Sequence, residues 1–388
     1  MKKYDVTHDP IFLNHLAINQ IENAKTIKGY KVILNQYCEY YQKTLTELID
    51  EARHEQKTIN DIIERTLYNK LLEFHNYLKL DLQNGTNTIE SKMSRIRSVY
   101  SYQYIQLPIK HKRKKIKRKD NLTTKDLLTK NEIREAVESR KELSHKLLIL
   151  FLFTTGMRVG DAKDLKLKDF IKATIEYHNE EDIYKIIEIL KKQQDVIPCW
   201  DFWSEKSDIH TITFNTPEVT KMILTYLSNR KDKLTPESYL FTGYNTAKPV
   251  GLSYQHYVFS QANKYLYDNG FIEYEKLNNG YYVFHAHGMR EMFKTILTNH
   301  EINYYISKKM MGQVYTKVDT AYTKVDKETC KRAYLRVLKE FSLSDVETNI
   351  IDDAGTKKLH QVEKELAEMK KLFTPDTIKI MKKMINNK

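Results

Sequence analysis

Two arginines, a histidine and a phenol stand in this chain at spacings that could attack a phosphodiester without a metal. Arg158 lies in Thr155-Gly156-Met157-Arg158-Val159-Gly160-Asp161; His287 and Arg290 lie in His287-Gly288-Met289-Arg290, followed by Met311-Gly312-Gln313 and then Tyr322. A guanidinium is a planar fork of donors, so two converging arginines can hold the non-bridging oxygens and neutralise charge developing on a pentacoordinate phosphorus. A tyrosine oxygen can form the covalent intermediate. Each piece is common by itself: an arginine at a helix start usually pairs with a carboxylate such as Asp161, and the chain has 13 histidines and 27 tyrosines. The pair His285 and His287 invites a metal reading, but no Asp, Glu or Cys completes a ligand spacing, so no metal is expected.

The elements that must position these residues are mostly helical. An apolar helix from His145 to Thr154 ends at the Thr155-Gly156 turn, which puts Arg158 at the start of the next helix, where backbone N–H groups favour an anion. His287 and Arg290, three apart, share one helix face. Upstream, Thr129 with Glu132 three residues on reads as a capping box. The runs Ile183 to Leu190, Val196 to Trp203 and Ile209 to Phe214 are rich in β-branched and apolar residues and predict strands; the last two flank the polar turn Ser204-Glu205-Lys206-Ser207-Asp208. Helices resume after Thr216, a cap residue before Pro217. Lys327 to Phe341 predicts a helix with Cys330, Tyr334, Val337 and Phe341 on one stripe. The expected class is mainly α with a small antiparallel β-sheet.

Residues 1–108 carry helical periodicity of their own. Ala24 to Leu48 aligns Ile27, Tyr30, Ile33 or Leu34, Tyr37 and Tyr41; Thr66 to Leu80 aligns Leu67, Leu71, Phe74 and Leu78; a third helix opens at Thr86-Asn87-Thr88 and runs to about Tyr104, with Ile89, Met93, Ile96 and Tyr100 inward. Lys92, Arg95 and Arg97 fall on its other faces and are candidates for contact with a nucleic-acid backbone, although basic helix faces are usually just solvated. Eight of the ten residues from Lys110 to Lys119 are Lys or Arg, including Lys112, Arg113, Lys114, Lys115, Lys117 and Arg118. Self-repulsion keeps such a run extended, so residues 109–122 read as a basic linker able to lie along phosphates. Residues 123–342 read as a second domain, which carries the candidate catalytic residues. The remaining 343–388 read as a helical tail, in which Leu359, Val362, Leu366, Met369 and Phe373 repeat as a short heptad pattern.

With 388 residues the chain is long enough for two domains, each with an ample core. The net charge of +13, from 64 Lys and Arg against 51 Asp and Glu, favours a polyanionic partner. Cys38, Cys199 and Cys330 are odd in number and far apart, which suits a reducing cytosol and predicts no disulfide framework. The first residues lack a signal-peptide run, and no stretch of about 20 apolar residues could span a bilayer, so a cytoplasmic protein is expected.

Taken together, the order of these pieces over residues 20 to 342 resembles the tyrosine recombinase (phage-type integrase) family. Thr155-Gly156-Met157-Arg158 matches that family's first arginine element, Lys206 sits where a hairpin lysine is expected, and His287 with Arg290 matches its His-x-x-Arg. Gln313 occupies the position of a Gly-His or Gly-Trp, and Tyr322 lies nine residues beyond it. Tyr315-Thr316-Lys317-Val318-Asp319 nearly duplicates Tyr322-Thr323-Lys324-Val325-Asp326, which makes Tyr315 a rival nucleophile; the spacing favours Tyr322. The resemblance implies a site-specific recombinase of double-stranded DNA, with an N-terminal helical DNA-binding domain and an α/β catalytic domain. It implies no cofactor, a homo-tetramer on two DNA sites, and service to a viral, archaeal or other mobile element. In place of the usual His or Trp, the Gln313 amide donates a hydrogen bond but carries no charge. A type IB topoisomerase with a similar residue set, and a DNA-binding protein without catalysis, remain as alternatives.

Overall fold

The computed structural model describes residues 4–107, 128–204, 208–243, 246–277, 280–314 and 325–343. The basic run from Lys110 to Lys119, the turn carrying Lys206, both candidate tyrosines and the heptad-like tail lie outside these residues. The chain divides into two units, Met1–Asp120 and Asn121–Lys388.

The first unit is helical throughout its regular structure: α1 (Pro10–Ile18), α2 (Ala24–Tyr41), α3 (Leu45–Thr58), α4 (Thr66–Leu80) and α5 (Thr86–Tyr102). Their apolar stripes meet in a core that includes Phe12, Leu34, Tyr37, Ile49, Phe74, Leu78, Ile96 and Tyr100. The helix expected from Ala24 to Leu48 is broken. Gln42 takes a left-handed conformation (φ 53°) that ends α2, and Thr44 opens α3 with a capping box to Glu47. The third helix begins at Thr86 as expected but has Gly85 at its cap, with no side-chain hydrogen bond there.

The second unit contains α6 (Lys130–Glu138), α7 (Leu143–Thr155), α8 (Val159–Lys163), α9 (Leu167–Ala173), α10 (Ile183–Lys191), the strands β1 (Cys199–Ser204) and β2 (Ile209–Phe214), α11 (Pro217–Ser228), α12 (Leu252–Asp268), α13 (Ala286–Asn299), α14 (Tyr304–Met311), α15 (Lys327–Arg336) and α16 (Leu338–Phe341). The two strands pair antiparallel, with Trp200 opposite Thr213 and Trp203 opposite His210. Buried along its whole C-terminal two-thirds, α7 is the central post, and α11 and α13 pack against it.

The strand expected over Ile183 to Leu190 is a helix. Ile183, Ile186, Ile187 and Leu190 are the buried positions, a spacing of three, four and seven, and the Asp182 carboxylate accepts from the N–H groups of Tyr184 and Lys185 at the N-terminus. Cap and period outweigh the β-branched composition. The strand expected from Val196 starts three residues later, at Cys199, and the Thr129 and Thr216 caps form as read. Cys38, Cys199 and Cys330 are free and buried, and burial pushes each thiol up to about 12.

Candidate active site

Two helix C-termini build the centre of the site. At the end of α7, Gly156 adopts φ 61°, where its N–H bonds the Leu152 carbonyl. An added Cβ there would lie 2.4 Å from a ring carbon of Phe293, so only glycine fits. The last carbonyls of α7 are each taken by a side chain from elsewhere: Thr154 by the Tyr334 hydroxyl at 3.0 Å, Thr155 by Thr213 Oγ1 at 2.6 Å and Gly156 by Arg290 Nη1 at 2.6 Å. At the end of α14, Gly312 (φ 56°) closes a Schellman motif, with the N–H of Gln313 bonded to the Lys308 carbonyl at 3.0 Å and its own to that of Lys309. A Cβ on Gly312 would fall 2.3 Å from Thr211 Oγ1.

The arginines rest on these two ends. Arg290 is buried and donates through its other nitrogen, Nη2, to the Met311 carbonyl, so it bridges α7 and α14. Arg158, half-buried at the cap of α8, donates Nη2 to the Gly312 carbonyl at 2.9 Å and Nη1 to Ser204 Oγ at 3.0 Å. Ser204 in turn donates to Asp161 Oδ2 at 2.9 Å, and Asp161 lies 3.8 Å from Arg158 Nη1. Helix C-termini carry partial negative charge, which favours cations at just these places. Even so, burial, and then the neighbouring charge of Arg158, lower the Arg290 guanidinium to about 10, with Asp161 opposing the shift. A buried cation with a second cation beside it is a place prepared for an anion.

His287 stands on the same helix as Arg290, one turn earlier. It is exposed, with Nε2 3.6 Å from Glu291 Oε1, and its ring lies 6.4 Å from that of His285. Gln313 is half-buried at the end of α14, next to the carbonyls that hold the arginines. The structure therefore unites Arg158, Arg290 and the Gly312-Gln313 turn. Lys206 and Tyr322 lie outside the described residues, between Ser204 and Ile209 and just before α15. Ser204 and Thr211 were not read from the sequence as site residues, Asp161 was read only as an ordinary partner of Arg158, and Gly312 only as part of the Met311-Gly312-Gln313 element. Asp161 had a signal in its place three residues after Arg158 on one helix face, and Gly312 in its place before Gln313.

In the first unit, the three basic residues read as candidate DNA contacts are half-buried. Lys92 donates to Gln36 Oε1 at 3.1 Å, Arg95 lies over the Tyr30 ring at 5.8 Å from its centroid, and burial, opposed by Glu90, lowers the Arg97 guanidinium. Among the described residues, no three His, Cys, Asp or Glu side chains gather as a metal site, and no helix is long and apolar enough to cross a membrane.

The family model described as "Phage integrase family" matches residues 126–329, more than half of the chain. The chain belongs to the phage integrase family. As a phage integrase family member it is a site-specific tyrosine recombinase, an enzyme of DNA strand breakage and rejoining. Among solved structures, the Tn1549 transposon integrase in complex with circular intermediate DNA matches 84% of this chain and 98% of that one, at 14% identity and a TM-score of 0.53. The XerH site-specific recombinase bound to difH substrate matches 83% and 82%, at 15% identity and a TM-score of 0.48. No curated protein matches this phage integrase family chain in sequence.

Proposed function

We propose that Tyr322 attacks the scissile phosphate of a duplex while Arg158 and Arg290 hold its non-bridging oxygens. The observation that carries this reading is the arginine pair itself, buried or half-buried on the carbonyls of Gly156, Met311 and Gly312, with Asp161 as a nearby counter-charge. In the proposed step, the bond from the Tyr322 oxygen to phosphorus forms and the bond from phosphorus to the 5′-oxygen breaks. The phenolic proton passes to His287, and Lys206 protonates the departing 5′-oxygen. The Gln313 amide donates to a phosphoryl oxygen. The resulting 3′-phosphotyrosyl ester retains the bond energy of the phosphodiester, so a 5′-hydroxyl from a partner duplex can reverse the step without ATP.

Lys92, Arg95, Arg97 and the basic run 109–122 are proposed to contact the DNA backbone. The functional assembly is proposed to be a homo-tetramer on two sites, acting in the cytoplasm on a mobile element. The shared fold with a transposon integrase solved on DNA supports the choice of partner. Covalent trapping tests the reading: wild type, Tyr322→Phe and Tyr315→Phe are incubated with nicked suicide duplexes and run on denaturing gels. Loss of the protein–DNA adduct only in Tyr322→Phe is expected. Loss only in Tyr315→Phe would move the nucleophile, and tight binding with no adduct in any sample would favour a DNA-binding protein without catalysis.

A further inference from the structure

The outer face of the hairpin, opposite the face that meets Arg158, carries a polar chain that the mechanism does not use. Side chains alternate along β1, so Trp200 and Ser204 face α7 and Arg158, whereas Asp201 and Trp203 face outward. There Lys309 of α14 lies with Nζ 2.9 Å from His210 Nδ1, and His210 Nε2 lies 2.6 Å from Asp201 Oδ1. An ammonium has only donors, so Nδ1 must accept and Nε2 must carry the hydrogen given to Asp201. Two directed hydrogen bonds thus fix the imidazole tautomer and orientation. Trp203 lies directly across the strand pair, its ring centroid 5.5 Å from that of His210, and covers it. Lys172 of α9 reaches Asp201 from the rim, with Nζ 3.2 Å from its carbonyl oxygen. That lysine is exposed, and exposed pairs are worth little. The half-buried segment from Asp201 through His210 to Lys309 carries the connection.

We propose that Asp201, His210 and Lys309 are positioning residues for strand cleavage, a hydrogen-bonded strut that fixes the last turn of α14 against β2. The inference rests on the reading of Arg158 and Arg290 as phosphate-holding groups. Lys309 lies three residues before Gly312, and the carbonyls of Met311 and Gly312 are the acceptors for both arginines. Release of Lys309 from His210 lets that turn rock away from the hairpin, and the guanidinium planes move with their acceptors. The strut touches no reacting atom and acts on rate through geometry alone.

The test uses the full chain and a nicked duplex recovered from a randomised pool by covalent capture on the wild type. Misplacement of catalytic groups by about 1 Å can cost on the order of 10²-fold, so His210→Leu and Lys309→Met should each slow single-turnover adduct formation by roughly 10- to 100-fold. Duplex affinity and melting temperature should stay near wild type. His210→Gln, whose amide can accept from Lys309 and donate to Asp201, should restore most of the rate. Unchanged rates in His210→Leu and Lys309→Met would overturn the proposal, as would parallel losses of rate, affinity and melting temperature without rescue by glutamine. Failure of the wild type to capture any duplex would instead sink the reading of the arginine site, and the strut's part in cleavage with it.

Discussion

Arg290 keeps its charge where burial and a second cation both oppose it. Burial, with the charge of Arg158 beside it, lowers its pKa to about 10, so the charged guanidinium is less stable in the folded site than in the unfolded chain. This penalty is fully present below about pH 10 and is relieved only as pH rises above it. An anion seated between the arginines offsets the same penalty at neutral pH. Inorganic sulfate should therefore raise the melting temperature of the wild type more than that of Arg290→Gln at matched ionic strength. Equal rises in both would show only the general stabilisation that sulfate gives any protein. Arg158→Lys replaces a fork that reaches Ser204 and Gly312 together with a single ammonium, and loss of one such preorganised donor set typically costs about 10²- to 10³-fold. A single-turnover cleavage rate measures it. Gly312→Ala meets both a left-handed backbone and Thr211 Oγ1 at 2.3 Å. It should lower both the melting temperature and the cleavage rate, and a second change, Thr211→Ser, should not rescue it because the hydroxyl that blocks the Cβ remains.

At the scale of elements, what the sequence made legible was whatever lay in local spacing. The Thr129 and Thr216 caps and the end of α7 at Gly156 were readable as periods and cap residues, whereas the single helix expected from Lys327 to Phe341 is interrupted at Val337, which leaves Cys330 and Tyr334 of its stripe on α15 and Phe341 on α16. The α10 segment was not, because Ile183, Ile186, Ile187 and Leu190 fit a helix by spacing while the isoleucines fit a strand by type. The decisive residue was Asp182, just outside the run. Its replacement by Ala removes the acceptor for two N–H groups and should cost about 1 kcal/mol, measurable by chemical denaturation. The site was legible to the same degree. Arg158 and Arg290 announced themselves by motif, but beside Ser204 and Asp161 their partners are carbonyls of Gly156, Met311 and Gly312, and a main-chain oxygen leaves no mark in composition. The placement of α15 offers a pH test. Glu176, in the short turn Ile175–Tyr177, accepts from Lys327 and Lys331 of α15, and those bonds lower its carboxyl below 4.5. A depressed carboxylate adds stability that is present above pH 4.5 and lost as pH falls through the lowered value. Glu176→Gln should therefore flatten the acid limb of the melting-temperature profile, and an unchanged limb would deny the tether any part in it.

For the whole molecule, the division into Met1–Asp120 and Asn121–Lys388 leaves the basic run close to the boundary between the units. If that run lies on phosphates, replacing Lys112, Arg113, Lys114, Lys115, Lys117 and Arg118 by Gln should reduce the slope of log affinity against log salt by about 0.9 for each phosphate left without its cation. Filter binding across a salt series reads it, and an unaltered slope would leave the run as a spacer. The arginine site also bears on how such a chain can drift. A side-chain acceptor disappears with one codon change, but no substitution deletes a carbonyl. The cradle of Arg158 and Arg290 is built largely of atoms that every residue supplies, so its genetic weak points narrow to the two glycines whose backbone only glycine follows easily, the Ser204 and Asp161 side chains beside Arg158, the strut at His210 and Lys309, and any insertion or deletion that shifts the end of α7 or α14.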